Sequence, residues 1–373
     1  MRRKILQVVN IPFVLPYYFG DQIEFLRDHN YEVTIACSPG PDLVKFCEKY
    51  GIRGVGIDIL RKIDVFADIK ALIKLYSLIR REKFDFVIGH TPKGALLSML
   101  AAKLAGVENR IYMRHGIVYQ TSKGLRKYMM IMLEKLTSIC ATRIVSVSRS
   151  VEDYAIKSNL NPKGKSIIFN KGTCNGLDVN RFTKANSDNL RCNLGLEGCF
   201  VVGYVGRLVN DKGIGELIEA WSLIKSTVPN AKLLLVGPFE ERDSLPDHTK
   251  KAILEDSTIK YIGLVDDTVE FYNAMDVFIL PSYREGFPTV VLEASAMQLP
   301  IITTKSTGCV DSIVEHRTGV FTAIDSESIA EQILFYYKNP DIRTEHGENG
   351  RKWVIDNFDQ KVVWHCILTE ILQ

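Results

Sequence analysis

Short apolar segments that alternate with helix-patterned segments constrain the fold of this chain more than any other feature. In the first half, Lys4–Val9, Tyr31–Cys37 and Phe84–Gly89 are largely apolar, and residues with helical spacing follow each of them. The second half repeats the plan with Phe200–Tyr204 and Lys232–Val236. Strands that are apolar along their length are typical of parallel sheets buried on both faces. The alternation therefore predicts two doubly wound α/β units.

The length of the chain also predicts two domains. Its 373 residues exceed the roughly 250–300 residues at which a single hydrophobic core stops growing. A stretch rich in Asn, Asp and Gly at 176–187 indicates the junction. We predict a first domain at 1–182 and a second domain at 183–354. The apolar spacing near the end predicts a helix at about 355–373 that can pack back on the first domain.

The two halves carry opposite charge. Residues 1–182 contain 29 Lys and Arg against 16 Asp and Glu, whereas residues 183–373 contain 18 against 28. A basic half suits an anionic lipid surface, a phosphate-bearing acceptor or a nucleic acid. The alternative is an even scatter of solvated lysines.

Cysteine usage and hydropathy favour a cytoplasmic protein. The eight cysteines are scattered without a CxxC pair, so neither a disulfide framework nor a zinc cluster is expected. The apolar run at 5–9 is too short for a signal peptide, and Asn10 ends it. No run of about 18 uncharged apolar residues is present, so a transmembrane helix is not expected.

A glycine-rich loop with two cations follows the first strand of the second half. It contains Gly206, Arg207 and Lys212, and a helix-patterned segment comes next. Glycine allows the backbone to approach a ligand closely, and the following helix N-terminus favours anions. The carboxyl end of a strand is where doubly wound sheets bind ligands. The loop is a candidate diphosphate site, with a solvated surface turn as the alternative.

A second candidate loop joins an apolar strand to a helix further along. Glu285 precedes the helix and Glu293 lies on it, while Pro288 is expected at its first position. The backbone amides around 286–289 are expected to be free to bind phosphate or sugar oxygens. The two carboxylates could accept hydrogen bonds from two sets of hydroxyls, although ordinary solvated glutamates are the alternative.

These motifs, in this order, resemble glycosyltransferase family 4, the retaining enzymes of the GT-B fold. The Glu285–Glu293 pair resembles the family's signature of two glutamates seven residues apart, and Gly206–Gly213 resembles its diphosphate clamp. Further similarity lies in Thr173–Phe182 and in Tyr261–Val265. The resemblance implies two Rossmann-like domains facing an interdomain cleft, with the acceptor bound by the first domain (1–182) and the nucleotide sugar by the second (183–354). It extends to bacterial transferases that build lipid-linked oligosaccharides and surface polysaccharides such as capsule and lipopolysaccharide.

The resemblance also implies roles for individual residues. Arg207 and Lys212 would neutralise the donor diphosphate, Glu293 would bind the ribose, and Glu285 would hold the transferred sugar. The expected donor-binding set is Gly206, Arg207, Lys212, Gly263, Leu264, Glu285, Gly286, Phe287, Pro288, Thr289 and Glu293, with the amides of 286–288 as donors. The expected catalytic set is His115, Glu285, Arg207 and Lys212.

Two departures from the family pattern concern the acceptor and the metal. The loop at 10–18 is apolar and aromatic where the family often has a Gly-Gly pair. We therefore expect an apolar or lipid-bearing acceptor, with Tyr17 and His90 as candidate acceptor contacts. No Asp-x-Asp motif occurs, so catalysis without a metal or other cofactor is expected.

We therefore predict a retaining hexosyltransferase that uses a nucleotide sugar, with UDP favoured and an N-acetylhexosamine or hexose transferred. The expected acceptor is a glycan or a polyprenyl-diphosphate-linked glycan. The alternatives are a non-hydrolysing sugar-nucleotide epimerase and a catalytically inactive sugar-nucleotide-binding subunit. A nucleic-acid-binding module has no motif to support it.

The segment 124–141 combines lysines and arginine with Tyr, Met, Ile and Leu side chains. Such a pattern is typical of a basic amphipathic helix that lies on an anionic membrane. A core helix with cationic ends is the alternative. The first interpretation predicts a peripheral protein on the inner face of the cytoplasmic membrane.

Overall fold

The computed structural model describes residues 2–62, 64–162, 164–185 and 187–373. The chain divides into two compact units, one formed by Met1–Gly176 with Lys361–Gln373 and the other by Leu177–Gln360. The division falls between Gly176 and Leu177, whereas the sequence placed it at 182. Each unit is described by itself below.

The first unit contains a seven-stranded parallel sheet with the order β3-β2-β1-β4-β5-β6-β7. Its strands are β1 (Arg3–Val8), β2 (Tyr31–Cys37), β3 (Arg53–Gly56), β4 (Phe86–Gly89), β5 (Asn109–Arg114), β6 (Arg143–Ser146) and β7 (Ser166–Ile167). Its helices are α1 (Leu15–Tyr18), α2 (Gln22–Asp28), α3 (Pro41–Tyr50), α4 (Val65–Glu82), α5 (Pro92–Leu104), α6 (Gly124–Cys140) and α7 (Arg149–Lys157). Apolar clusters cover both faces of the sheet, as expected for parallel strands.

The second unit repeats this architecture with a six-stranded parallel sheet, ordered β10-β9-β8-β11-β12-β13. Its strands are β8 (Phe200–Val205), β9 (Ala231–Val236), β10 (Ile259–Gly263), β11 (Val277–Leu280), β12 (Ile301–Thr304) and β13 (Gly319–Thr322). Its helices are α8 (Asp188–Leu194), α9 (Ile214–Ile224), α10 (Asp247–Glu255), α11 (Val269–Asn273), α12 (Thr289–Ala296), α13 (Ser326–Lys338) and α14 (Pro340–Phe358). The predicted class, two Rossmann-like α/β units, is confirmed.

Both sheets reverse their strand order at one place. In the first sheet the reversal lies between β1 and β4, and in the second it lies between β8 and β11. The loops that leave adjacent strands at such a point diverge to opposite faces and open a crevice at the carboxyl ends. The sheet topology therefore marks one candidate ligand crevice in each unit.

The C-terminal helix α15 (Gln360–Glu370) packs on the core of the first unit. Val363, Trp364 and Ile367 are buried among the side chains of α2 and β2. Trp364 also donates its indole N–H to Asn175 Oδ1 at 2.7 Å. Burial of these apolar side chains, each contributing on the order of 1.5–3 kcal/mol, attaches the tail to this unit.

The described helices include none that is both long and apolar enough to cross a lipid bilayer.

Candidate active site

The crevice of the second unit is built by two loops held in close contact. The loop after β8 ends at Gly213, whose φ is +69°. A Cβ atom at Gly213 would lie 2.1 Å from the carbonyl oxygen of Pro281, which follows β11. Only glycine combines this backbone conformation with so close an approach. The sequence thus specifies contact between the two loops at the point where the sheet order reverses.

Side chains of the same two loops form ion pairs across the contact. Lys212 Nζ pairs with Glu285 Oε1, and the two side chains are only 17% and 15% exposed. Beside them Arg284 pairs with Asp211, and Ser282 Oγ donates to the Asp211 carbonyl oxygen at 3.1 Å. A cation and a carboxylate predicted from separate motifs are therefore direct partners.

Arg207 lies on the loop after β8, but its guanidinium faces the loop after β9. It pairs with Glu240, and half of the Arg207 side chain remains exposed. A surface ion pair of this kind contributes little stability, about 0–1 kcal/mol. A diphosphate could therefore replace the Glu240 carboxylate as the partner of Arg207 at little cost.

Helix α12 begins at Thr289, with Pro288 as its N-cap residue. Pro288 was expected at the first helical position with a donating amide, and both expectations are wrong, because it caps the helix and proline has no N–H. The Glu285 N–H is also engaged, donating to the Thr307 carbonyl oxygen at 2.8 Å. The candidate amide donors are those of Gly286, Phe287 and Thr289.

Glu293 lies on α12 and is held by a tyrosine that the motif analysis missed. The Tyr272 hydroxyl donates to Glu293 Oε2 at 2.7 Å. Burial raises the pKa of Glu293, and the hydrogen bond from Tyr272 opposes that rise. One carboxylate oxygen thus has a fixed donor, which orients the second oxygen. No local sequence pattern around Tyr272 could have indicated this contact.

Gly263 and Leu264, two members of the expected donor-binding set, lie where β10 ends. Gly263 adopts a φ of +82°, and its carbonyl oxygen accepts from the Gly237 N–H at 2.8 Å. The Leu264 side chain is 79% exposed. This stretch therefore lies at the carboxyl end of a strand beside β9, and a backbone hydrogen bond to the loop after β9 holds Gly263 in place.

In the first unit, His115 follows β5 and is surrounded by aromatic rings. Tyr18 stacks on it with ring centroids 4.0 Å apart and an interplanar angle of 2°. Desolvation lowers the pKa of His115 to about 3, so the ring is neutral at physiological pH. His90 bonds to His115 and is only 4% exposed. His90 therefore lies beneath His115 and not at a surface, while Tyr17 is 70% exposed on α1.

A buried polar network lies directly behind His115 and was not anticipated. Arg114 is fully buried and donates from Nε to Glu134 Oε1 at 2.8 Å. Its other nitrogens donate to Asn161 Oδ1 at 2.7 Å and Ser138 Oγ at 3.0 Å. This network ties the end of β5 to α6. Among the described residues, no group of three or more His, Cys, Asp or Glu side chains is arranged to hold a metal ion.

Two family models match this chain and together cover both units. The model "Glycosyl transferases group 1" matches residues 187–353, and "Glycosyl transferase 4-like" matches residues 5–148. The capsular polysaccharide biosynthesis glycosyltransferase CapM of Staphylococcus aureus is 35% identical over 97% of this chain and 95% of its own length.

A second relative and a solved structure extend the comparison. The UDP-Gal:alpha-D-GlcNAc-diphosphoundecaprenol alpha-1,3-galactosyltransferase of Escherichia coli is 29% identical over 77% of this chain and 75% of its own length. The crystal structure of Anabaena HepE with UDP and glucose superposes with a TM-score of 0.83 at 19% identity, covering 98% of each chain. That structural likeness concerns the fold. The resemblance drawn from the motifs is confirmed. The chain belongs to the glycosyltransferase family that these two models describe, the group 1 transferases with a glycosyl transferase 4-like first domain.

Proposed function

We propose that this glycosyltransferase takes a hexose or N-acetylhexosamine from a UDP-sugar and transfers it, with retention, to a polyprenyl-diphosphate-linked acceptor. The observation that carries the proposal is the pairing of Lys212 with Glu285 across the crevice of the second unit. In this proposal Lys212 supplies the cation for the diphosphate, and the neighbouring Glu285 supplies the carboxylate for the sugar hydroxyls. The Escherichia coli relative, which uses UDP-Gal and a diphosphoundecaprenol acceptor by name, supports both substrate classes.

The crevice is suited to stabilising a departing nucleoside diphosphate. Negative charge grows on the diphosphate as the bond to the sugar breaks, and fixed cations at that point lower the barrier. Glu285 and the loop contacts hold Lys212 in place before the donor binds, so little reorganisation is needed. Arg207, released from Glu240, is the second cation. With two cations and the backbone amides of Gly286, Phe287 and Thr289 in place, we propose that no divalent metal is required.

The two carboxylates have separate tasks in this proposal. Glu285 accepts hydrogen bonds from the transferred sugar, and Glu293, oriented by Tyr272, accepts from the ribose. Because Glu285 is engaged with Lys212, it suits binding better than nucleophilic attack. We therefore assign retention to attack by the acceptor hydroxyl from the face that the diphosphate leaves.

A thermal-stability screen with nucleotides tests this proposal. A ligand at one hundred times its dissociation constant stabilises a protein by about 2.7 kcal/mol. We expect UDP and at least one UDP-sugar to raise the Tm, with ADP and GDP as matched controls and with no change on adding EDTA. If neither UDP nor any UDP-sugar raised the Tm, the donor assignment would be wrong. A donor-only assay that released an epimerised sugar would instead favour the epimerase.

We further propose that the first unit attaches to an anionic membrane through α6. This helix turns its polar side inward, since Glu134, Thr137 and Ser138 are buried. Its outward side is apolar, with Leu125, Tyr128, Met132, Leu136 and Ile139 all exposed. Lys123 and Arg126 are exposed at the start of the helix, and Lys127 and Lys135 on the helix are partly exposed. An exposed apolar stripe on a helix that also carries cations matches a helix lying in a membrane interface.

Substituting glutamate for two residues of this stripe is expected to abolish membrane binding. The double substitution Met132→Glu/Leu136→Glu places two negative charges against anionic headgroups. It also removes apolar side chains that would be buried in the membrane interface. We expect at least about a tenfold loss of co-sedimentation with vesicles containing phosphatidylglycerol. Leu223→Glu, at a half-exposed leucine of α9 in the second unit, is the matched control and should bind normally. Equal binding to neutral vesicles, or binding unaffected by the double substitution, would contradict the proposal.

A further inference from the structure

Three polar side chains form a continuous chain of hydrogen bonds at the strand-order reversal of the first sheet. Gln7 lies on β1, His90 directly follows β4 and His115 directly follows β5, three adjacent strands. Gln7 Oε1 lies 2.8 Å from His90 Nε2. His90 Nδ1 lies 2.9 Å from His115 Nε2. Gln7 and His90 are 3% and 4% exposed, so water does not compete for these bonds.

Neutral imidazoles in such a chain can carry their protons in only one arrangement. A neutral imidazole has one N–H donor and one acceptor nitrogen. Because the Gln7 carbonyl oxygen only accepts, the proton of His90 resides on Nε2 and its Nδ1 must accept. His115 therefore donates from Nε2, and its Nδ1 retains the lone pair. Burial lowers the pKa of His90 well below its usual range, which keeps this ring neutral.

The surrounding aromatic rings fix the orientation of both imidazoles. Tyr18 stacks face to face on His115, and Phe19 packs edge-on against His90 at a centroid distance of 5.0 Å and an angle of 89°. Tyr18 is the last residue of α1, and Phe19 directly follows it. Ring flips that would exchange the nitrogens are therefore sterically hindered.

We propose that Gln7 and His90 are positioning residues that hold His115 as its Nε2–H tautomer and leave Nδ1 as the acceptor for a hydroxyl of a ligand bound at the crevice of the first unit. Neither residue touches substrate in this assignment. The hydrogen bond at one ring nitrogen sets the protonation of the other. Two such bonds in series therefore let Gln7 on β1 determine the tautomer of His115. Only the use of this acceptor nitrogen in glycosyl transfer rests on the function proposed above.

Nitrogen-15 NMR of the imidazole rings tests the tautomers directly in the full chain. The protein is labelled with ¹⁵N-histidine and recorded at pH 7, with the His115 signals identified by their loss in His115→Gln. The expected result is Nε2–H and bare Nδ1 on both His90 and His115. A proton on Nδ1 of His115, or an imidazolium at this pH, would overturn the proposal. This measurement needs no variant of Gln7 or His90.

A substitution at Gln7 tests whether the choice is transmitted. Gln7→Met keeps the length of the side chain but removes the acceptor, so we expect His115 to show a mixture of tautomers. Thr34→Val, at a buried polar residue of the neighbouring β2, is the control and should preserve Nε2–H. An unchanged single tautomer of His115 in Gln7→Met would contradict the transmission through His90.

Steady-state kinetics separate this inference from the proposed function. With the nucleotide sugar selected by the thermal screen, Gln7→Met should lower kcat about tenfold, while the donor KM stays unchanged. An unchanged kcat would remove the positioning role. If the tautomers were as stated but no nucleotide bound, the donor assignment would fail while the proton arrangement in this chain of bonds held.

Discussion

Replacing Lys212 by methionine is expected to lower glycosyl transfer by about 10²–10³-fold, the cost of removing one fixed group that stabilises developing charge. Methionine keeps much of the apolar stem and removes the charge. The loss should fall mainly on kcat, because the diphosphate charge grows as the sugar leaves. The effect is measured as the rate at which the nucleoside diphosphate is released from the donor. A loss below about threefold would remove Lys212 from the charge-stabilising role.

Two further variants make the Lys212 result interpretable. Lys225→Met removes a lysine that is ion-paired with Asp256 in the same unit and should leave turnover unchanged. Lys212→Met also leaves the largely buried Glu285 without its cation, which can destabilise the fold. The double variant Lys212→Met/Glu285→Gln removes that stranded charge. We expect it to regain the wild-type Tm, which would show that any loss of stability in Lys212→Met comes from the stranded charge of Glu285.

Replacing Arg114 by methionine is expected to destabilise the first unit by about 3–5 kcal/mol, the usual cost of breaking one side of a buried ion pair. Arg114 is fully buried, and Glu134 is 9% exposed. The Tyr112 hydroxyl also donates to Glu134, at 2.8 Å, but cannot supply the missing charge. Hydrogen exchange of β5 and β6 peptides as a function of urea reports this unit separately from the other.

Matched variants distinguish the buried charge from other effects of the Arg114 substitution. Arg114→Met/Glu134→Leu removes both charges and should recover much of the lost stability, since apolar replacement of a whole buried pair is often neutral. Arg149→Met breaks an exposed pair with Asp153 and should cost at most about 1 kcal/mol. A cost for Arg114→Met as small as that of Arg149→Met would contradict the importance of the network.

The fold was predictable because its signals are local. Apolar runs such as Tyr31–Cys37 and Phe200–Val205 are buried along nearly their full length, so hydrophobic pattern alone identifies them as parallel strands. The glycine-rich loop after β8 and the helix after β11 were also recognisable, because their glycines, proline and charged residues lie within short stretches of sequence. Their contact at Gly213 follows from the sheet order, which sequence patterns do not specify.

The partners of the site residues could not be predicted, because they come from distant segments. Arg207 pairs with a glutamate 33 positions away, and Lys212 with one 73 positions away. The pattern of α6 likewise fits both a membrane helix and a core helix. In the structure the polar side of α6 faces inward, where Glu134 accepts a hydrogen bond from Arg114, 20 positions earlier in the chain.

We propose that the loops at 206–213 and 285–293 bind a nucleoside diphosphate. Hydrogen–deuterium exchange of the full chain with and without saturating UDP tests this binding. We expect slower exchange in peptides that cover both loops, and loss of that protection in Lys212→Met/Arg207→Met. Protection confined to other segments, or no change at any UDP concentration up to the millimolar range, would contradict it.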